Sequence, residues 1–155
     1  MTIRRGRRVG IDVGDVRIGV AVSDPDGILA TPVETVPAGP AAIARLAELV
    51  REYEPLECVV GLPVGLSGRE GAAAAKVRAF CAELLPAIAP VSIRLFDERM
   101  STMTAEGQLR HTGRSGASRR TVIDQAAATV ILQTALDAER TRGSAPGESL
   151  RGIDE

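Results

Sequence analysis

The sequence predicts an α/β fold: a mixed five-stranded sheet, three antiparallel strands followed by parallel ones, with helices packed on it. Two observations carry that reading. Three short β-rich runs open the chain with hairpin-length links between them, which makes them antiparallel neighbours. Thereafter each apolar run is reached through a segment of helical period, and a strand entered by a crossover helix lies parallel. The 155 residues, 45% hydrophobic and 25% charged, suffice for one domain with its own core.

The elements follow in order. Residues 8–13 and 17–23 are the first hairpin, joined at Gly14-Asp15-Val16, and a third strand at 28–36 follows the turn Asp24-Pro25-Asp26-Gly27. From Pro40 the period lengthens: Ile43, Leu46, Ala47, Leu49 and Val50 recur at helical spacing and stop before Pro55. Residues 58–62 read as a buried strand running into a glycine-rich segment, 61–71. A second helix is expected over 71–85, stopped by Pro86, then a fifth strand at 91–96 and a third helix at 101–110 capped by Ser101 or Thr102. A polar loop at 112–117 leads to a long helix over 118–140. The domain is therefore expected over 1–140, with 141–155 a disordered tail.

Composition excludes several chemistries. His111 is the single histidine, so a His-rich zinc site and any Ser/His/Asp or Cys/His triad not built on it are ruled out. A metal would be held mainly by carboxylates, which favours Mg²⁺ or Mn²⁺. Three aromatics, Tyr53, Phe80 and Phe96, are too few for a base-stacking platform. Cys58 and Cys81 stand apart in apolar surroundings and read as reduced buried thiols. No apolar run approaches a membrane span and the N-terminus lacks a secretory segment, so the expected compartment is the cytoplasm. The net charge of −1 is uninformative, but arginines cluster at Arg4, Arg5, Arg7 and Arg8 and again, with His111, at Arg110, Arg114, Arg119 and Arg120. Either cluster suits phosphate contacts or a solvated surface.

Three acidic positions carry the functional reading. Asp12 lies inside the first strand, and alternation puts Gly10, Asp12 and Gly14 on one face. The next strand adds Gly19, Ala21 and Ser23, so one acid stands on a shallow surface of small residues where a phosphodiester can approach. Asp97-Glu98-Arg99 follows the fifth strand, at the carboxyl edge where α/β sheets collect ligands. Alternation sends Asp97 and Glu98 to opposite faces and leaves open which one faces Asp12. Asp124 shares a helix face with Ala127, Ala128, Ile131 and Ala135, and an acid on an apolar stripe needs a positive partner, either Arg119 or Arg120 or a metal ion. Carboxylates from separate elements that converge can hold two divalent ions for phosphodiester hydrolysis. Gly61, Gly65, Gly68 and Gly71, with Ser67, offer backbone N–H groups to a phosphate backbone, or form a plain connecting loop.

Four stretches resemble one family: GIDVGDVRIGVAVSD (10–24), GLPVGLSGREG (61–71), FDERMST (96–102) and DQAAATVILQ (124–133). In this order they are similar to the YqgF (RuvX-like) family of Holliday junction resolvase-like proteins, also described as precursor 16S rRNA nucleases. The resemblance implies an RNase H-like fold, metal-dependent nuclease activity, and a role in 5′-end maturation of precursor 16S rRNA or in resolving branched DNA. It makes Asp12, Glu98 and Asp124 the catalytic, metal-holding acids, and Arg17, Arg99 and Ser101 substrate contacts. Nucleic acid is the implied partner, and junction resolution would require two active sites, hence a homodimer. Two other classes compete. An ATPase of the actin and sugar-kinase type also opens on a strand with Asp between glycines, but needs two such domains. A non-catalytic nucleic-acid-binding module would use its acids for structure alone.

Overall fold

A computed structural model describes residues 3–100 and 116–150, the side chains of 116–124 excepted. Strands β1 (Arg8–Val13), β2 (Arg17–Ser23) and β3 (Ala30–Pro37) form an antiparallel meander. Helix α1 (Ala42–Tyr53) then crosses to β4 (Glu57–Leu62), which lies parallel to β1. Helix α2 (Ala72–Ala87) crosses to β5 (Ser92–Asp97), parallel to β4, and a 3-10 turn (Glu98–Met100) follows. A long helix, α3 (Gly116–Arg142), leads to β6 (Glu148–Leu150), antiparallel to β5. The sheet order is β3-β2-β1-β4-β5-β6.

The expected α/β architecture is present, with differences that have local causes. The sheet has six strands, because residues 148–150, expected to be disordered, pair with β5. Gly147 makes this fit: a Cβ there would lie 2.1 Å from the Leu95 carbonyl oxygen. β3 begins at 30 because the Asp24 carboxylate accepts hydrogen bonds from the backbone N–H groups of Asp26, Ile28 and Leu29, prolonging the turn. Pro86 does not stop α2. It sits in the last turn, and the helix still closes with the Ile88 N–H donating to the Leu84 carbonyl at 3.1 Å. The helix expected at 101–110 lies outside the described residues.

The two faces of the sheet are packed differently. Val9, Ile11, Ile18 and Val20 meet α1 and α2 through Leu46, Leu49, Val77 and Leu84. The opposite face sets glycines and Ala21 beside Val59 and Phe96 and is covered by α3 through Ala128, Ile131, Leu132 and Ala135. Two glycines set the depth of that packing. A Cβ on Gly10 would lie 2.7 Å from Leu132 Cβ and 3.1 Å from the Ala128 carbonyl oxygen, and one on Gly61 2.7 Å from Ile131 Cδ1. The helix therefore rests almost on sheet backbone.

The first basic cluster is not a free phosphate-binding patch. Arg8, 1% exposed, donates to Glu139, and Arg4 bridges Glu139 and Glu57, both buried. Arg94 closes the network on Glu57, and Arg5 pairs with Asp26. This ionic cluster fastens the far end of α3 to the amino ends of β1 and β4. Glu139 shows the balance: burial pushes its carboxyl up, but hydrogen bonds from Arg4 outweigh that and hold it below the ordinary value.

Candidate active site

β1 delivers Asp12 to the α3 face. Gly10, two residues earlier, already touches that helix, and side chains two apart on a strand share a face. The same rule resolves the Asp97-Glu98 ambiguity. Leu95 packs toward α1 and α2 and Phe96 toward α3, so Asp97 continues on the side of Leu95. Glu98, at the start of the 3-10 turn, falls on the α3 side with Phe96, its carboxyl carbon 3.8 Å from where a Cβ on Gly61 would stand. Glu98 and Asp12 share a side-chain hydrogen bond. Acids from an early and a late strand thus meet across β4, where Gly61 leaves room.

The pair is electrostatically tense. Burial pushes the Glu98 carboxyl above its ordinary value, the charge of Asp97 adds to this, and the hydrogen bond with Asp12 opposes it. Asp97 is separately neutralised: the Arg99 guanidinium donates to both its oxygens and the Arg99 backbone N–H to one, holding Asp97 below the ordinary carboxylate range. Glu98, not Asp97, is therefore the partner of Asp12.

Asp124 lies in α3 one turn before Ala128, whose carbonyl oxygen sits over Gly10. Glu139, farther along α3, meets Arg8 at the start of β1, so helix and strand run antiparallel and the amino-terminal part of α3 lies toward the Asp12 end of β1. The backbone thus carries Asp124 toward the Asp12 end of β1. Its side chain, and those of Arg119 and Arg120 offered as its partners, lie outside the described ones. Among the described residues no group of three metal-ligating side chains occurs. Asp12 and Glu98 nevertheless form an all-oxygen donor set whose repulsion and burial a cation would relieve, the chemistry of a Mg²⁺ or Mn²⁺ site.

The remaining expected contacts divide. Arg99, besides Asp97, donates to the Gly65 carbonyl at 3.3 Å and so ties the glycine-rich loop to the end of β5. Arg17 opens β2, half-buried, at the Asp12 end of the hairpin. Ser101 and the second basic cluster lie outside the described residues or side chains. In the glycine-rich loop, two of the N–H groups expected for phosphate are already used: Gly65 donates to the Arg69 carbonyl at 2.9 Å and Gly68 to that of Gly65 at 2.8 Å. Cys58 and Cys81 are buried thiols, as their surroundings implied.

An α3-covered mixed sheet with acids at the carboxyl edge of its central strands is the architecture of an RNase H-like protein. Among solved structures, RuvC of T. thermophilus in complex with a Holliday junction substrate shares this fold, with a TM-score of 0.60 at 19% identity over 92% of this chain and 99% of that one. The chain belongs to the RuvX family: the family profile, described as Holliday junction resolvase, matches residues 6–138. A relative from Streptomyces avermitilis is 62% identical over 99% of both chains and carries the name "Putative pre-16S rRNA nuclease". Relatives of the same name from Nocardioides and Thermobifida fusca are 58% identical over 94% of this chain and 97% of that one, and 54% over 97% and 99%.

Proposed function

We propose that this chain is a divalent-metal-dependent nuclease that hydrolyses phosphodiester bonds in 5′-end maturation of precursor 16S rRNA, acting in the cytoplasm. The observation that carries the reading is the meeting of Asp12 with Glu98 at the carboxyl edge of the sheet, supported by the family's names and fold. Asp12, Glu98 and Asp124 would hold Mg²⁺ or Mn²⁺. A divalent ion bound there supplies Lewis-acid polarisation of the phosphoryl group and a water of lowered pKa.

The chain's own residues do the rest. Gly10 and Gly61 let α3 settle against the sheet backbone, which fixes the helix that carries Asp124 beside β1 and β4. Asp97 holds Arg99, and Arg99 holds the Gly65 loop, so this arginine shapes the rim and reaches substrate through the loop it fixes. Arg17 and Ser101 are assigned to substrate contact, as the family resemblance implies.

The test is cleavage of precursor 16S rRNA 5′-end fragments with Mg²⁺, Mn²⁺ or EDTA, beside a four-way DNA junction. Cleavage of the rRNA ends, abolished by EDTA, is expected. Cleavage that persists in EDTA refutes the metal requirement. Junction cleavage without rRNA cleavage, accompanied by a dimer in solution, transfers the activity to branched DNA, because paired strand cuts need two active sites.

A further inference from the structure

Beside Glu98, on the α2 side of the acid pair, a cavity of about 280 Å³ opens between the β1–β2 turn and α2. Its walls include Gly14 and Asp15 from the turn, Pro63 after β4, Lys76 and Val77 from α2, and Glu98 itself. The volume is at the low end for ligand cavities, which run from about 300 to 1,000 Å³. It therefore accommodates one sugar-phosphate unit and not a stacked duplex. Lys76 is the cation on its wall, and the one lysine in a chain whose other 18 basic residues, of 19, are arginines.

Charge decides what the cavity takes. Asp15 and Glu98 make its wall repulsive to an anion unless Lys76 is available. Lys76 Nζ lies 3.5 Å from Asp15 Oδ1, with 69% and 81% of the two side chains exposed. A pair so long and so exposed holds weakly and exchanges readily. The neighbouring cations are tied more firmly. Arg78, two residues on in α2 and turned to another side of the helix, is clamped between Glu70 and Glu148 by four hydrogen bonds, and Arg99 is held by Asp97.

We propose that this cavity seats the backbone phosphate next to the scissile bond, and that Lys76 binds it by releasing Asp15. The inference rests on the nuclease reading of the adjoining acids and adds the positioning group for its substrate strand. Asp15 acts as the competing anion: it keeps Lys76 across the mouth of the cavity until a phosphate replaces it. The contact is to the sugar-phosphate chain, so it is indifferent to base sequence.

The experiment compares wild type with Lys76→Ala, Lys76→Arg and Asp15→Asn in steady-state cleavage of one precursor-rRNA fragment at several salt concentrations. Lys76→Ala is expected to raise KM about fivefold with kcat changed less than twofold, and to make the dependence of log binding on log salt shallower by about 0.7, the loss of one phosphate contact on a single strand. Lys76→Arg restores the wild-type slope. Asp15→Asn lowers KM, since the competing anion is gone, whereas a merely structural ion pair would give no gain. Both positions are surface positions, and unchanged circular dichroism confirms folding. A wild-type KM and salt slope in Lys76→Ala overturn the inference, as does an Asp15→Asn variant that binds no better than wild type. If wild type cleaves nothing, the nuclease reading fails instead, and the two failures are distinct.

Discussion

Gly10→Ala tests whether the seating of α3 on bare backbone is what the fold depends on. The added methyl would stand 2.7 Å from Leu132 Cβ, below any ordinary carbon contact, and 3.1 Å from the Ala128 carbonyl oxygen. Neither neighbour is the tip of a flexible side chain, so the helix must lift. Overpacking of this kind costs about 1–3 kcal/mol. Replacing glycine inside a strand returns roughly 0.5–1 kcal/mol of unfolded-state entropy. The net loss is about 1–2 kcal/mol, or roughly 3–6 °C in Tm for a chain of this size. Urea and thermal unfolding measure it, with Gly71→Ala as control, because a Cβ at Gly71 meets nothing within 4 Å. The control should remain within about 0.5 kcal/mol of wild type. Because α3 also carries Asp124, kcat should fall at a temperature where Gly10→Ala is still fully folded. A Gly10→Ala protein as stable and as active as wild type refutes the close-packing account.

Three further outcomes follow from the same geometry. Asp12→Asn and Glu98→Gln should each lower kcat on the order of 100-fold or more while leaving oligonucleotide affinity near wild type in a gel-shift assay; equal turnover would leave the acids a structural role. Glu139→Gln strands Arg8 and should destabilise the fold by about 3–5 kcal/mol at pH 7. Since the folded carboxyl titrates below its unfolded value of 4.5, the wild-type advantage is complete above that value and is lost as pH falls through the folded one, so urea unfolding at pH 7, 5 and 3 should show the gap narrowing. Burial pushes the Cys58 and Cys81 thiols up to about 12, so an aromatic disulfide reagent at pH 8 should modify them roughly a thousandfold more slowly in the native protein than in guanidinium.

Periodicity and link length were enough to place the meander, the two crossovers and the long helix, because those signals are local and repeat along the chain. The small-residue face was legible too: Gly10, Asp12 and Ala21 share it in the sequence pattern and in space. What could not be read was set by tertiary contact. Glu98 is chosen over Asp97 because Phe96, two residues before it, packs under α3, and which face of β5 that helix covers is a tertiary fact that alternation alone does not carry; Arg99 then takes up Asp97. The amino-terminal arginines read as a basic patch because Glu57 and Glu139, which pair with Arg4 and Arg8, lie 53 and 131 residues from them. β6 escaped notice since a three-residue strand carries no period, and its one signal was a glycine, Gly147, in a polar tail. Lys76 has no signal in the sequence beyond being the one lysine, and its cavity exists solely in three dimensions.

The short pairing of Glu148–Leu150 with β5 has a practical corollary. The family profile ends at residue 138, ten residues before that strand begins. A protein trimmed to the shared segment would leave the ladder of β5 unsatisfied along its outer side, and such bare strand edges recruit neighbouring chains. The tail beyond the profile is thus a guard against self-association, and recombinant versions cut at 140 should precipitate where the longer protein stays in solution.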